Sequence, residues 1–223
     1  MTQLKAIIFD LDGTLVDSAE DLRNAANALL GEENLPPVSL EDIKAMIGDG
    51  VAKLVERAIL RTSGEVAALP RLVGRFMQIY EADASRHTLA YPGVRGTLEA
   101  LSRMGLRLAV VTNKPHAATI AILESLGLSA FFDAVIGGDT LAERKPHPAP
   151  IEAALRLLGI GGDAAFMVGD NYHDVQAARA AGIAVVVAVT YGYSHKPHAE
   201  LGADHLIDTM PNLLPIVASR VAA

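Results

Sequence analysis

The sequence contains no cysteine. This absence excludes disulfide bonds, zinc sites built from thiolates and cysteine nucleophiles. Any metal ion must therefore be bound by oxygen or imidazole ligands, and cations that prefer oxygen are the default expectation.

An excess of positive charge and a long hydrophobic run are also absent. The chain has 26 Asp and Glu against 19 Lys and Arg, a net charge of −7, which is the wrong sign for neutralising nucleic-acid phosphates. The most apolar stretch, residues 181–189, is far shorter than the roughly 20 residues that span a bilayer. The first residues lack the pattern of a signal peptide. We therefore expect no nucleic-acid partner, no membrane association and a cytoplasmic location. The expected assembly is a monomer or homodimer.

What is present is typical of an ordinary globular chain. The chain has 223 residues, of which 51% are hydrophobic and 20% charged, enough to bury a sizeable core. Short apolar runs alternate with helical patterns, as in a parallel sheet covered by helices on both faces. The prediction is an α/β fold with a doubly wound, Rossmann-like sheet, whose strands cover residues 5–9, 107–111, 134–136, 165–168, 183–189 and 205–207.

A long insertion separates the first two predicted strands. Almost a hundred residues lie there, where one crossover helix would need about a dozen. Helices are predicted at 19–30, 39–46, 51–60 and 69–85, with no convincing strand among them. The alternative, ordinary crossover helices, fits four successive helices less well. The sequence therefore predicts a helical cap of residues 18–86 inserted into an α/β core of residues 1–17 and 87–223.

Two acidic residues follow the first predicted strand. Asp10 and Asp12 lie two positions apart at the carboxyl edge of the sheet, where ligands bind in open parallel sheets. Gly13 allows a tight turn beside them. The alternative is a purely structural role, in a surface turn where the Asp side chains accept hydrogen bonds from nearby amides.

A second acidic pair, Asp170 and Asp174, follows the apolar run at 165–168 and opens a helical pattern. Asp170 could simply cap that helix. Two acidic strand ends in one parallel sheet nevertheless project to the same edge, where carboxylates and waters together make a magnesium (Mg²⁺) site.

Two further motifs lie at predicted strand ends or in a rigid loop. Thr112 and Asn113 emerge after residues 107–111, although such residues commonly cap helices. Lys145 precedes Pro146, on a stiff loop rather than a solvated helix face. A surface lysine is the usual case, but here an ammonium could neutralise clustered carboxylates and a transferring phosphoryl group.

Taken in order, DLDGT, VVTN, KPHP and GDNxxD resemble the four motifs of the haloacid dehalogenase-like phosphatase superfamily. The insertion is similar to that superfamily's helical cap between the first and second motifs. The strings IGDGVAKLVERAI, YPGV, TNKP, KPHPAP and TYGY resemble bacterial phosphoglycolate phosphatases. One departure is Asn171, where the family more often has Ser or Gly.

The resemblance implies a Mg²⁺-dependent phosphomonoesterase. Asp10 would be the nucleophile that forms an aspartyl-phosphate, and Asp12 the acid and base. Thr112, the Asn113 amide and Lys145 would hold the phosphoryl oxygens. The metal would be bound by Asp10, the backbone carbonyl of Asp12, Asp170 and, directly or through water, Asp174.

Substrate choice is expected to lie in the cap. The Gly48-Asp49-Gly50 turn precedes a helical pattern, and free amides at a helix start can bind an anion. A carboxylate such as that of 2-phosphoglycolate is the expected occupant, with Lys53 or Arg57 adding positive charge. The alternative is a turn between helices that binds no ligand.

The partner expected from these motifs is a small phosphorylated metabolite. The leading interpretation is hydrolysis of 2-phosphoglycolate. The alternatives are a sugar phosphomutase of the same superfamily and a phosphatase of a sugar phosphate or of pyrophosphate. A signalling receiver module also binds Mg²⁺ with acidic residues, Thr and Lys, but it would be far shorter and lack the insert.

Overall fold

The computed structural model describes residues 2–83 and 85–221. Its strands are β1 (Ala6–Phe9), β2 (Val16–Asp17), β3 (Leu89–Ala90), β4 (Arg107–Val111), β5 (Ala134–Ile136), β6 (Ala165–Gly169), β7 (Val185–Val189) and β8 (His205–Ile207). Its α-helices are α1 (Ala19–Glu32), α2 (Leu40–Lys44), α3 (Val51–Arg61), α4 (Leu69–Ala82), α5 (Val94–Arg103), α6 (His116–Ser125), α7 (Ala149–Leu158), α8 (Tyr172–Ala180) and α9 (Leu213–Val221).

Six strands form one parallel sheet in the order β5-β4-β1-β6-β7-β8. Side chains alternate across it: Ile7 and Phe9 of β1 pack into one core with α5, α6 and α9, whereas Ala6 and Ile8 pack into another with α7 and α8. Helices thus cover both faces, which confirms the predicted doubly wound α/β fold. Because β1 lies between β4 and β6, the segments that follow these three strands meet at the middle of one edge.

The chain between β2 and β3 forms α1 to α4, which pack around a separate core containing Leu29, Ile43, Ile59 and Phe76. At the base of these helices, β2 and β3 make an antiparallel pair, with Val16 opposite Ala90. This pair is not predicted from the sequence, because two residues are too few to show a strand period.

Some element ends differ from the prediction. The helix predicted at 39–46 is the shorter α2, whose start is fixed by Ser39 Oγ accepting from the Asp42 amide at 3.0 Å. The strand predicted at 183–189 begins at Val185, because Ile183 donates its amide to Ala178 in a turn.

Smaller differences affect five other elements, of which α1 extends to Glu32 and α3 to Arg61. The first strand begins at Ala6, β6 extends to Gly169, and α4 ends at Ala82. The predicted extents of core and insert, and the helix predicted at 69–85, include residues 1, 84, 222 or 223, which lie outside the described residues. None of the helices in the described part of the chain is both long and apolar enough to cross a membrane.

Candidate active site

A cleft lies between the carboxyl edge of the sheet and the helices of the insert. It is lined by every predicted site residue except Asp49, namely Asp10, Asp12, Gly48, Gly50, Thr112, Asn113, Lys145, Asp170 and Asp174. Asp10 follows β1, Thr112 follows β4 and Asp170 follows β6, so the parallel sheet brings together residues that are far apart in sequence.

Three buried carboxylates form a cluster in this cleft. Asp10, Asp170 and Asp174 each offer an oxygen within 4.8 Å of the others. Lys145 Nζ lies 2.8 Å from Asp10 Oδ1 and 2.6 Å from Asp174 Oδ1. One ammonium therefore faces three carboxylates, and the cluster carries excess negative charge when all are ionised.

Burial and this crowding raise the pKa of two of the acids. Burial, with the Asp174 and Asp12 charges adding to it and Lys145 opposing, raises the pKa of Asp10 to about 6. Burial and the charges of Asp10 and Asp174 raise the pKa of Asp170 well above its usual range. The donors are all hard oxygens and lack positive charge, so the cluster fits a Mg²⁺ ion.

Close packing holds the Asp170 carboxylate in place. Gly13 has a φ of +86°, and a side chain there would overlap the Asp170 carboxylate. The Tyr193 amide donates to Asp170 Oδ2 at 2.6 Å. Asn171, not Asp170, caps α8, accepting from the Tyr172 amide at 2.8 Å. The simple helix-cap interpretation of Asp170 is therefore wrong.

Asp12 lies outside this three-carboxylate cluster and is paired with Lys114, which is not among the site residues predicted from the sequence. Lys114 Nζ lies 3.0 and 3.2 Å from the two Asp12 carboxylate oxygens, and the Ser18 hydroxyl donates to Asp12 as well. Burial alone would lower the pKa of Lys114, but the Asp12 charge raises it overall. The signal in the sequence was the TNKP string, where Lys114 directly follows Asn113.

Asn113 ties three segments together. Its side-chain Nδ2 donates to the carbonyls of Gly48 and Lys145 at 2.8 and 2.9 Å, and its Oδ1 accepts from the Lys145 amide at 3.0 Å. The Thr112 hydroxyl accepts from the Lys114 amide at 3.2 Å. Neither residue caps α6, whose N-cap is Pro115, so the capping interpretation of both is wrong.

The Asp49 side chain points away from the cleft lining. Its carboxylate oxygens lie 2.6 Å from Arg57 Nη2 and 2.6 Å from His173 Nε2. Lys53 pairs with Glu56 and is 57% exposed. Gly48 and Gly50 line the cleft without Asp49, Lys53 or Arg57.

Comparison with known proteins agrees with this architecture. The model of the haloacid dehalogenase-like hydrolase family matches residues 7–188. A phosphoglycolate phosphatase of Rhodospirillum rubrum is 45% identical over 216 residues, covering 94% of this chain and 89% of its own length. One from Chromobacterium violaceum is 43% identical over 97% of this chain and 98% of its own.

A solved structure shares the complete fold. The crystal structure of a predicted phosphoglycolate phosphatase from Haemophilus somnus has a TM-score of 0.91 and 37% identity, covering 97% of this chain and 99% of that one. These similarities confirm the resemblance that the four motifs predict. The chain belongs to the haloacid dehalogenase-like hydrolase family, and it is an enzyme of the phosphoric monoester hydrolase class.

Proposed function

We propose that this enzyme hydrolyses 2-phosphoglycolate to glycolate and phosphate through an aspartyl-phosphate on Asp10, with Mg²⁺ as its cofactor. The observation that carries the proposal is the different setting of two neighbouring carboxylates. Asp10 is paired with Lys145 inside the acidic cluster, whereas Asp12 is paired with Lys114 outside it. Two carboxylates in different environments are suited to two different roles.

In the first step, a carboxylate oxygen of Asp10 attacks the phosphorus atom in line with the ester bond. The bond between phosphorus and the ester oxygen breaks, and protonated Asp12 gives its proton to the departing alkoxide. Glycolate leaves, and the phosphoryl group remains on Asp10.

In the second step, water attacks the phosphorus atom and Asp12 takes up the proton that the water loses. The bond between phosphorus and Asp10 breaks. Phosphate leaves, and the Asp10 carboxylate and the protonated Asp12 are restored.

The phosphoryl oxygens would be held by Thr112, the backbone amide of Asn113 and the Lys145 ammonium. All three residues line the cleft beside Asp10. Positioning and charge stabilisation of this kind are the main contribution of a protein to phosphoryl transfer.

Asp10, Asp170, Asp174 and the backbone carbonyl of Asp12 would hold the metal ion. When bound, Mg²⁺ supplies positive charge that offsets the negative charge of the carboxylates and the phosphoryl oxygens. The buried cluster with one lysine for three carboxylates supports this assignment.

The position of the insert supports a small substrate. Gly48 and Gly50 line the cleft from the insert, and Asn113 holds the Gly48 carbonyl against the sheet edge. The named relatives are phosphoglycolate phosphatases. 2-Phosphoglycolate has its carboxylate close to its phosphate, so both groups would fit together in a cleft lined by the sheet edge and the insert.

The product distinguishes this proposal from its nearest rival. Purified enzyme with 2-phosphoglycolate and Mg²⁺ is expected to release inorganic phosphate and glycolate. A panel of sugar phosphates tests the phosphomutase alternative, which would give an isomerised sugar phosphate without release of phosphate.

The Asp12→Asn variant tests the intermediate. With p-nitrophenyl phosphate, whose leaving group needs little protonation, the variant is expected to form the phosphoenzyme and hydrolyse it slowly. Acid quenching and mass spectrometry should then find the phosphoryl group on Asp10. Asp83→Asn, on an exposed aspartate, is the matched control and should turn over normally. Failure to trap phosphorylated protein would count against the mechanism.

A further inference from the structure

The cleft holds a positive charge that the proposed phosphoryl chemistry does not use. Among the described residues, its lining contains two lysines, Lys114 and Lys145, and no arginine. Lys145 is committed to Asp10 and Asp174. Lys114 has one carboxylate partner, Asp12, and is the only other lysine of the described lining.

Lys114 is buried where the insert meets the sheet edge. Its side chain is 3% exposed, and its ammonium lies 4.8 Å from the ring centre of Tyr80 on α4. A buried ammonium is costly unless anions or other acceptors compensate it. Asp12 supplies one such anion, and an ammonium with three N–H donors can bind a second anionic group beside it.

The geometry links this charge to one particular part of the substrate. To protonate the leaving group, Asp12 must come within hydrogen-bond distance of the ester oxygen, about 3 Å. Lys114 Nζ donates a hydrogen bond to Asp12 Oδ1 at 3.0 Å, so it would lie one residue further from the ester oxygen than Asp12. In 2-phosphoglycolate a single carbon separates the ester oxygen from the carboxyl group, so the carboxylate falls within reach of Lys114.

The cations expected from the sequence are placed elsewhere. Arg57 is paired with Asp49, Lys53 is paired with Glu56 on the surface, and neither lines the cleft. Lys114 is therefore better placed than Arg57 or Lys53 to supply the positive charge expected beside the substrate carboxylate.

We propose that Lys114 binds the carboxylate of the substrate. The enzyme would thereby select phosphate esters of 2-hydroxy acids over phosphate esters of the same size that have no carboxylate. The inference rests on the proposed function and identifies the residue that sets its specificity. Lys114 would thus act in substrate recognition as well as holding Asp12.

A pair of substrates that differ only in the carboxylate tests this role. Wild-type kcat/KM should be higher for 2-phosphoglycolate than for 2-hydroxyethyl phosphate. Lys114→Gln should lower kcat/KM for 2-phosphoglycolate about 100-fold, because a charged hydrogen bond is lost. The loss for 2-hydroxyethyl phosphate, which has no carboxylate, should be much smaller. Lys114→Arg should retain the preference, and Lys53→Gln, the matched control on a surface lysine, should change neither value.

A binding measurement covers the case in which Lys114→Gln unfolds because Asp12 loses its partner. In Asp12→Asn the buried lysine has no counter-ion, so adding Lys114→Gln removes an unpaired charge and should not destabilise the fold. By calorimetry, the single variant should bind 2-phosphoglycolate more tightly than 2-hydroxyethyl phosphate, and the double variant should bind both alike.

The outcomes separate the two proposals. Equal losses on both substrates in Lys114→Gln would mean that Lys114 only positions Asp12, and would overturn the inference alone. The same follows if the preference for phosphoglycolate survives in Lys114→Gln or in the double variant. A wild-type enzyme that hydrolyses other phosphomonoesters but not 2-phosphoglycolate would overturn the proposed function and the inference with it.

Discussion

The Asp49 carboxylate in the insert lies 2.6 Å from Nε2 of His173 on α8, which joins the insert to the sheet side of the molecule. Asp49 therefore fixes the position of the Gly48-Asp49-Gly50 turn rather than lining the cleft that this turn covers. The side chain acts on the geometry of the site without entering it.

Weakening this link should reduce activity on every substrate. Asp49→Asn removes the charge that Arg57 and His173 share, so the turn should be held less firmly over the cleft. We expect kcat/KM to fall about tenfold, equivalent to about 1.4 kcal/mol, for both 2-phosphoglycolate and p-nitrophenyl phosphate. Glu56→Gln, which breaks only the pair with exposed Lys53, is the control. Unchanged kinetics in Asp49→Asn would argue against a positional role.

Replacing Asp10, the proposed nucleophile, should remove activity but preserve the fold. Burial raises the folded-state pKa of Asp10 to about 6, above the ordinary 3.8. A carboxyl with a raised pKa binds protons more tightly when folded, so its contribution to the free energy of unfolding decreases as pH rises from about 3.8 to 6. At pH 7.5 in chelator, Asp10→Asn should therefore melt no lower than the wild type, while phosphate release becomes undetectable. A substantial residual rate would mean that Asp10 is not the nucleophile.

Removal of divalent ions should abolish the phosphatase activity. Because three buried carboxylates face one ammonium, Mg²⁺ should both activate the enzyme and raise its melting temperature, since a ligand that binds only the folded state stabilises it. Ca²⁺ should stabilise without supporting much activity, as its larger and more flexible coordination shell misplaces the reacting groups. Asp170→Asn should lose most of the Mg²⁺-induced shift. Full activity in excess EDTA would rule out the metal site.

A side chain at Gly50 should affect specificity more than chemistry. Gly50 has a φ of +84°, and a Cβ there would lie 3.3 Å from Arg144 Nη1 and 3.4 Å from the Asn113 carbonyl oxygen. Gly50→Val should strain the turn, and its branched side chain should also obstruct the backbone amides of the turn, which Asp49→Asn does not do. We therefore expect kcat/KM to fall much more for 2-phosphoglycolate than for p-nitrophenyl phosphate. Gly74→Ala, at an open helical position, should leave both values unchanged. Equal losses in Gly50→Val would contradict a role of the turn in choosing the substrate.

Local sequence patterns were sufficient to predict the sheet edge. Apolar runs end directly before Asp10 and Thr112 and one residue before Asp170, and parallel strands place their carboxyl ends together. These residues could therefore be grouped from the sequence alone. The order of the strands across the sheet could not, because it depends on pairing between distant segments rather than on any local period.

The direction of individual side chains was the harder problem. Asp49 was expected to contact substrate, yet its partner His173 lies far away in the sequence, and no local pattern indicates that pairing. Lys114 was missed for a related reason. Its importance comes from burial against Asp12 and Tyr80, which belong to two other segments.

The short pair of β2 and β3 has a consequence for how such enzymes diversify. The chain leaves for the insert at Asp17 and returns at Leu89, and these two residues lie opposite each other. The insert is thus attached to the rest of the chain through two adjacent strands, which enter and leave it at the same place. Helices could be lengthened, lost or exchanged beyond that point without changing the spacing of the sheet strands. New substrates could then be acquired by replacing a module while the phosphoryl-transfer groups stay in place.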